Sequence, residues 1–142
     1  MSIRNALLKD APAITALLDT LEYPGSEIFI KDKMEQMFHN PYVYILVYED
    51  GGKVLAFIVL EFLIQLGLKG DIARIGYFAV DEQARGNGIG DVMETYCTQL
   101  AKERGCDRIE VHCHERRKDA HRFYQRQGYT ESPKYFMKKL NE

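Results

Sequence analysis

The chain has 142 residues, enough for one domain with a sizeable core, and its 46% apolar and 28% charged content is that of a globular protein. A net charge of −2 argues against a general nucleic-acid binder. No apolar run reaches membrane-spanning length, the first ten residues lack the apolar core of a signal peptide, and the three cysteines lack paired spacing, so free thiols and a cytoplasmic location are expected.

Residues 1–6 can form a first strand. Asp10 is placed to cap a helix, with Pro12 tolerated in the first turn, and Ile14, Leu17, Leu18 and Leu21 recur at helical spacing as its buried face. Tyr23-Pro24-Gly25 ends that helix. Ser26 is the capping candidate for a second helix that turns Ile30, Met34, Met37 and Phe38 inward and stops ahead of Asn40-Pro41. Two short helices around a Pro-Gly elbow make either a movable rim over a ligand site or a rigid cover for a sheet. Residues 42–48, rich in aromatic and β-branched side chains, read as a strand; Asp50-Gly51-Gly52 is a hairpin turn and 53–64 the returning strand. A second connection over 66–71 leads to a strand over 74–80 that ends in Phe78-Ala79-Val80.

Directly after that strand, Gly86, Gly88 and Gly90 fall at every second position, and Ile89, Val92, Met93, Tyr96, Cys97, Leu100 and Ala101 form a helical stripe with Asp91, Glu94 and Thr98 on the wet face. Glycines at the mouth of a helix let backbone N–H groups approach a ligand, and the helix N-terminus adds free donors and a positive dipole end. This is a cradle for phosphate. It is not a nucleoside-triphosphate loop, because Gly-Lys-Ser/Thr is missing, nor a dinucleotide fingerprint, because the third glycine would fall on Asp91. Gly105 ends the helix, 107–113 is a further strand expected to run parallel to 74–80, and 117–127 is a short helix with Ala120, Phe123 and Tyr124 inward. From Tyr129 a last pair of strands is expected, ending in Tyr135-Phe136-Met137. The whole reads as an α/β fold, a central mixed sheet flanked by about four helices in a single domain over 1–142.

Two stretches carry a resemblance. Arg85-Gly86-Asn87-Gly88-Ile89-Gly90 after a Phe-Ala-Val strand end resembles the pyrophosphate-binding motif R/Q-x-x-G-x-G/A of the GNAT superfamily of acyl-CoA-dependent N-acetyltransferases. Ala120-His121-Arg122-Phe123-Tyr124 through Gly128-Tyr129 is similar to that superfamily's A-x-x-F/L-Y-x-x-x-G-F/Y segment, one strand further on. Within it, Arg117-x-Asp119-Ala120-His121-Arg122-Phe123-Tyr124 and the strand spacing look closest to aminoalkylphosphonate acetyltransferases.

The resemblance implies acetyl-CoA as cosubstrate, no metal, and direct attack of a small-molecule primary amine on the thioester. Arg85, Gly86, Asn87, Gly88, Ile89 and Gly90 would hold the pyrophosphate, mainly through backbone N–H groups, and Phe78, Ala79 and Val80 would offer backbone groups to the pantetheine and acetyl. Tyr124 matches the family tyrosine that donates to the departing thiolate. Two departures follow. The 74–77 stretch, Arg-Ile-Gly-Tyr, lacks the glutamate that many relatives carry, which leaves Glu61, Asp71, Tyr77 or a water chain as the base. Arg117 stands where many relatives have asparagine; with Arg116 and Lys118 it would meet the 3′-phosphate of CoA or an anionic substrate, or else make a solvated helix start. The alternatives are a non-catalytic acyl-CoA-binding or regulatory module on the same fold, and a protein acetyltransferase. Nucleic acid and membrane are not expected as partners, and a homodimer stays open, since no exposed apolar stripe can be assigned. His112-Cys113-His114 is declined as a metal site because alternate strand residues point to opposite faces, and Cys113 is declined as an acyl-carrying nucleophile.

Overall fold

Five strands lie side by side in chain order: β1 (Ser2–Asn5), β2 (Val43–Asp50), β3 (Lys53–Leu63), β4 (Ile72–Val80) and β5 (Arg108–Val111). The first four pair antiparallel; β5 pairs parallel to β4, as the long helical connection between them requires. The computed structural model describes residues 2–113, 117–131 and 136–141, which fall in two compact units, 1–112 and 113–142. The sheet belongs to the first unit, with helices α1 (Ala11–Thr20), α2 (Ile30–Phe38) and α3 (Ile89–Glu103). Helix α4 (Lys118–Arg126) belongs to the second.

Side chains alternate across the sheet, and both faces are covered, so β2 and β3 read as nearly continuous apolar runs. One face, with Ile45, Val47, Phe57, Val59 and Ala79, packs with Ile14 and Leu17 of α1 and Ile30 and Met34 of α2. Leu46, Ile58 and Leu60 turn to the other face and are fully buried; α3 contributes Met93, Cys97 and Ala101 to the core.

The structure departs from the sequence expectations at several helix positions. The buried line of α3 runs through Ile89, Met93, Cys97 and Ala101 at four-residue steps, which leaves Val92 and Tyr96 exposed and turns Glu94 inward. Its buried carboxylate accepts a bond from Thr98 Oγ at 2.8 Å. Ser26 does not cap α2: it sits in a separate 3-10 turn, Ser26–Ile28, and Phe29 occupies the cap position without a side-chain bond. Phe38, the last residue of α2, is exposed. Asp10 stands at the cap position of α1 but bonds elsewhere. Its carboxylate accepts from Leu7 N–H at 2.8 Å and from the Arg4 guanidinium at 2.8 and 3.0 Å. Arg4 also reaches Glu49 at 2.6 Å, which ties β1 to β2 and to the entry of α1. No strand forms among the described residues 129–131 and 136–141; the rest of that expected pair, including Tyr135, lies outside the described residues.

Candidate active site

β4 outruns its neighbour on one side. Pairing with β5 stops at Ile75↔Val111, whereas pairing with β3 continues to Val80↔Ala56. Asp81 N–H donates to the Leu55 carbonyl at 2.7 Å. Because bonding alternates along an antiparallel pair, Tyr77 and Ala79 turn their backbone groups to β3, and Phe78 and Val80 present theirs to the opposite edge. Beyond Val111 no described strand covers that edge. A strand edge of this kind is a template for an amide-bearing ligand chain.

The strand runs straight into the glycine turn. The 3-10 turn Glu82–Ala84 follows, anchored where the Asp81 carboxylate accepts from Gln83 N–H at 2.9 Å. Ala84 and Ile89 are buried and hold the turn from below, while Arg85, Gly86, Asn87 and Gly88 are exposed. Gly86 and Gly88 have φ of 87° and 77°, left-handed values that glycine adopts without penalty, and a Cβ on either would meet nothing within 4 Å. Val92 N–H donates to the Gly88 carbonyl at 3.1 Å as the first rung of α3. The N–H groups of Ile89 and Gly90 lie ahead of that rung, at the positive end of the helix dipole. Asp91 sets a carboxylate in the same first turn, which favours the helix but opposes an anion, and Arg85 is exposed.

On the other side of β4 the register slips by one residue: Val59 pairs with Tyr77 and Leu60 with Ile75, so Gly76 is the extra residue of a bulge. A Cβ on Gly76 would lie 3.0 Å from Glu61 Oε1, so the carboxylate from β3 occupies the space a strand side chain would take. Tyr77 lies beside it. Burial, then Tyr23, then the Glu61 carboxylate push the Tyr77 phenol above its ordinary pKa, which keeps it protonated and unsuited to act as a base. Arg74, opposite Glu61, is committed to Glu110, whose Oε1 it reaches at 2.9 and 2.5 Å. Asp71 is spent at the start of β4, its carbonyl accepting from Asp107 N–H at 2.8 Å and its carboxylate 3.8 Å from Arg104 Nε. Of the three side chains left open by the sequence, the structure brings Glu61 and Tyr77 together and sets Asp71 apart. The mid-strand glycine at 76 was the available signal, since glycine inside a strand marks a bulge or a close approach.

A cavity of about 530 Å³ opens between α1, α2 and the sheet, with Tyr77, Val59 and Phe57 at its floor and exposed Glu22 and Lys33 at its rim. Tyr23 packs edge-on against Tyr77 with ring centroids 5.2 Å apart. Ser26, also lining the cavity, is buried, and its hydroxyl has no hydrogen-bond partner among the described residues. The cavity lies under the two short helices that the sequence read as either a rim over a ligand site or a rigid cover.

In the second unit Tyr124 stands on α4, its ring edge-on to Phe123 at 5.2 Å and to Tyr129 at 5.3 Å. Arg117 is the exposed cap residue of that helix, and Arg122 pairs with Asp119 one turn in. Arg116 and His114 lie outside the described residues. His112 is exposed, 4.0 Å from Glu110. Among the described residues no three His, Cys, Asp or Glu side chains are grouped to hold a metal ion. The thiols run against nucleophilic use: burial, then Glu94, pushes Cys97 up to about 12, and burial also raises Cys106 and Cys113. No helix among the described residues is long and apolar enough to cross a membrane.

Comparison with known proteins bears on this arrangement. The model of the acetyltransferase (GNAT) family matches residues 11–129. An aminoalkylphosphonate N-acetyltransferase of Salmonella typhimurium strain LT2 is 27% identical over 143 residues, covering 97% of this chain and 90% of that protein. Among solved structures, a transcriptional regulator from Bacillus halodurans C-125 superposes with a TM-score of 0.87 at 22% identity, covering 98% of this chain and 99% of that one. An aminoglycoside 6′-N-acetyltransferase from Acinetobacter haemolyticus gives 0.83 at 18% identity, covering 99% and 100%. At such identities the structural likeness establishes the fold, a mixed sheet flanked by helices.

Proposed function

The chain belongs to the GNAT acetyltransferase family, and on that premise we propose that it transfers the acetyl group of acetyl-CoA directly to the primary amine of a small molecule. One observation carries the reading: the stretch of β4 beyond its pairing with β5 leads without interruption into the glycine turn and the N-terminus of α3. An extended amide-bearing arm ending in a pyrophosphate matches that sequence of features. The open space over Gly86 and Gly88 fits the pyrophosphate, with the N–H groups of Ile89 and Gly90 as donors and Arg85 and Asn87 at its flank. Phe78 and Val80 meet the pantetheine and acetyl through their edge-facing backbone, and Ala79 fixes the strand between them. A Val80 N–H aimed at the developing oxyanion is worth about 3 kcal/mol of barrier. Acetyl-CoA supplies the activated thioester; this chain supplies the alignment and the proton traffic.

Glu61 takes the proton of the incoming ammonium, directly or through one water; the freed amine forms the C–N bond as the C–S bond breaks, and the surplus proton left on nitrogen passes through water to restore the Tyr124 phenol. Tyr124, a phenol of intrinsic pKa near 10, donates to the leaving thiolate, whose thiol has a pKa of about 8.5. Arg117 serves the 3′-phosphate. The carboxylate of Glu61 over Gly76 favours catalysis over a non-catalytic binding role, because it supplies the base missing from 74–77.

The test is release of free thiol from acetyl-CoA in the presence of a panel of primary amines. Amine-dependent release is the expected result. An enzyme that binds acetyl-CoA yet releases no thiol with any amine would refute transfer, and absence of acetyl-CoA binding would refute the role of residues 85–90.

A further inference from the structure

We infer that the cavity between α1, α2 and the sheet takes the acceptor, and that this acceptor is a primary amine with an apolar aryl or branched-alkyl body. The inference rests on the transfer reading above and names its substrate class. At about 530 Å³ the cavity lies within the range of small-molecule sites. Tyr77 places one end beside Glu61, where an amine would lose its proton. From there the buried surface is apolar, supplied by Val59, Phe57, Ile45, Ile30 and Met34.

The charges are few and peripheral. Glu22 and Lys33 line the cavity, one of each sign, and both are exposed at the rim. A phosphonate dianion calls for a fork of guanidinium or several ammonium donors, and a polycationic amine for several carboxylates. Neither set lines this cavity among the described residues. Burying such a charge against Phe57 and Met34 would cost far more than it returns.

The experiment uses the full chain with saturating acetyl-CoA and two readouts, thiol release and calorimetric binding of the amine to the CoA-bound protein. The amines are a straight-chain alkylamine series, phenethylamine, aminoethylphosphonate and spermidine. Each added methylene is expected to raise kcat/KM about fourfold until the cavity is filled. A response independent of chain length, or preference for aminoethylphosphonate that Lys33→Met abolishes, overturns the inference while leaving acetyl transfer intact. Apolar amines that bind in the expected order yet release no thiol would refute transfer and uphold the cavity assignment.

Discussion

Replacing Gly88 with alanine separates a ligand-binding turn from a merely tight one. Gly88 has φ of 77°, and a Cβ there meets nothing within 4 Å, so no clash is created. The folding cost is that of holding an L-residue in the left-handed region, about 1 to 2 kcal/mol. Gly105, at the other end of α3, has φ of 74° and equally open surroundings, so Gly105→Ala carries the same cost and serves as the control. Against a typical total stability of about 5–15 kcal/mol both variants remain folded at 25 °C. The two differ in what lies over them. A methyl group at 88 enters the space where a pyrophosphate would meet the N–H groups of Ile89 and Gly90. Each charge-assisted bond lost there costs about 1.5–3 kcal/mol, which is roughly a ten- to hundredfold rise in Kd. Urea unfolding and calorimetric titration with acetyl-CoA, run on both variants, should give equal losses of stability and a loss of affinity in Gly88→Ala alone. Equal affinities in the two variants would refute the cradle.

Glu61→Gln keeps the shape over Gly76 but removes the base, so kcat should fall about a hundredfold or more while acetyl-CoA affinity holds; an unchanged rate across the pH range would remove Glu61 from the mechanism. Tyr124→Phe should likewise slow transfer at unchanged acetyl-CoA affinity, and unaltered turnover would show that its role is packing against Phe123 and Tyr129. Arg4→Ala strands the buried Asp10 carboxylate with only the Leu7 N–H and should cost about 3 kcal/mol at neutral pH by chemical denaturation. The Arg4 bonds hold Asp10 below its ordinary pKa, so this stabilisation is present above the unfolded value of about 3.9 and fades as pH falls through the folded one. The gap between wild type and Arg4→Ala should therefore close in acid. With its thiol pushed up to about 12, Cys97 should resist a disulfide reagent at pH 8 in the native protein and react only on unfolding; rapid native labelling of Cys97 would contradict its burial.

The legible parts of this fold are those governed by local pattern. The hairpin at Asp50-Gly51-Gly52, the helix breaker at Tyr23-Pro24-Gly25, the start of α3 at Ile89 and the parallel placement of β5 all follow from short-range chemistry. The misread positions are those where a third element decides. Periodicity alone gives α3 a broad stripe; which half of it faces the sheet depends on packing, and packing chose Glu94 over Val92 and Tyr96. Ser26 and Asp10 have the side chains of helix caps. Yet Asp10 is drawn to Arg4, six residues away, and Ser26 lies inside a turn that closes before α2 begins.

The candidate site divides along the same line. Residues 85–90 and the end of β4 stand out because a backbone cradle needs glycine, and glycine is visible in a sequence. The proposed base is different. Positions 74–77 lack a carboxylate, and nothing local says that the register between β3 and β4 slips there or that Glu61, fifteen residues earlier in the chain, swings over the gap. The bulge makes these one fact. Gly76 can be the extra residue because it has no side chain, and for the same reason the Glu61 carboxylate fits above it. Gly76→Ala therefore probes the pair: its methyl would lie 3.0 Å from Glu61 Oε1, and the flexible carboxylate would swing aside at little cost to the fold. Transfer should then fall with stability nearly unchanged. Full activity in Gly76→Ala would mean that the position of Glu61 over the bulge has no part in the chemistry.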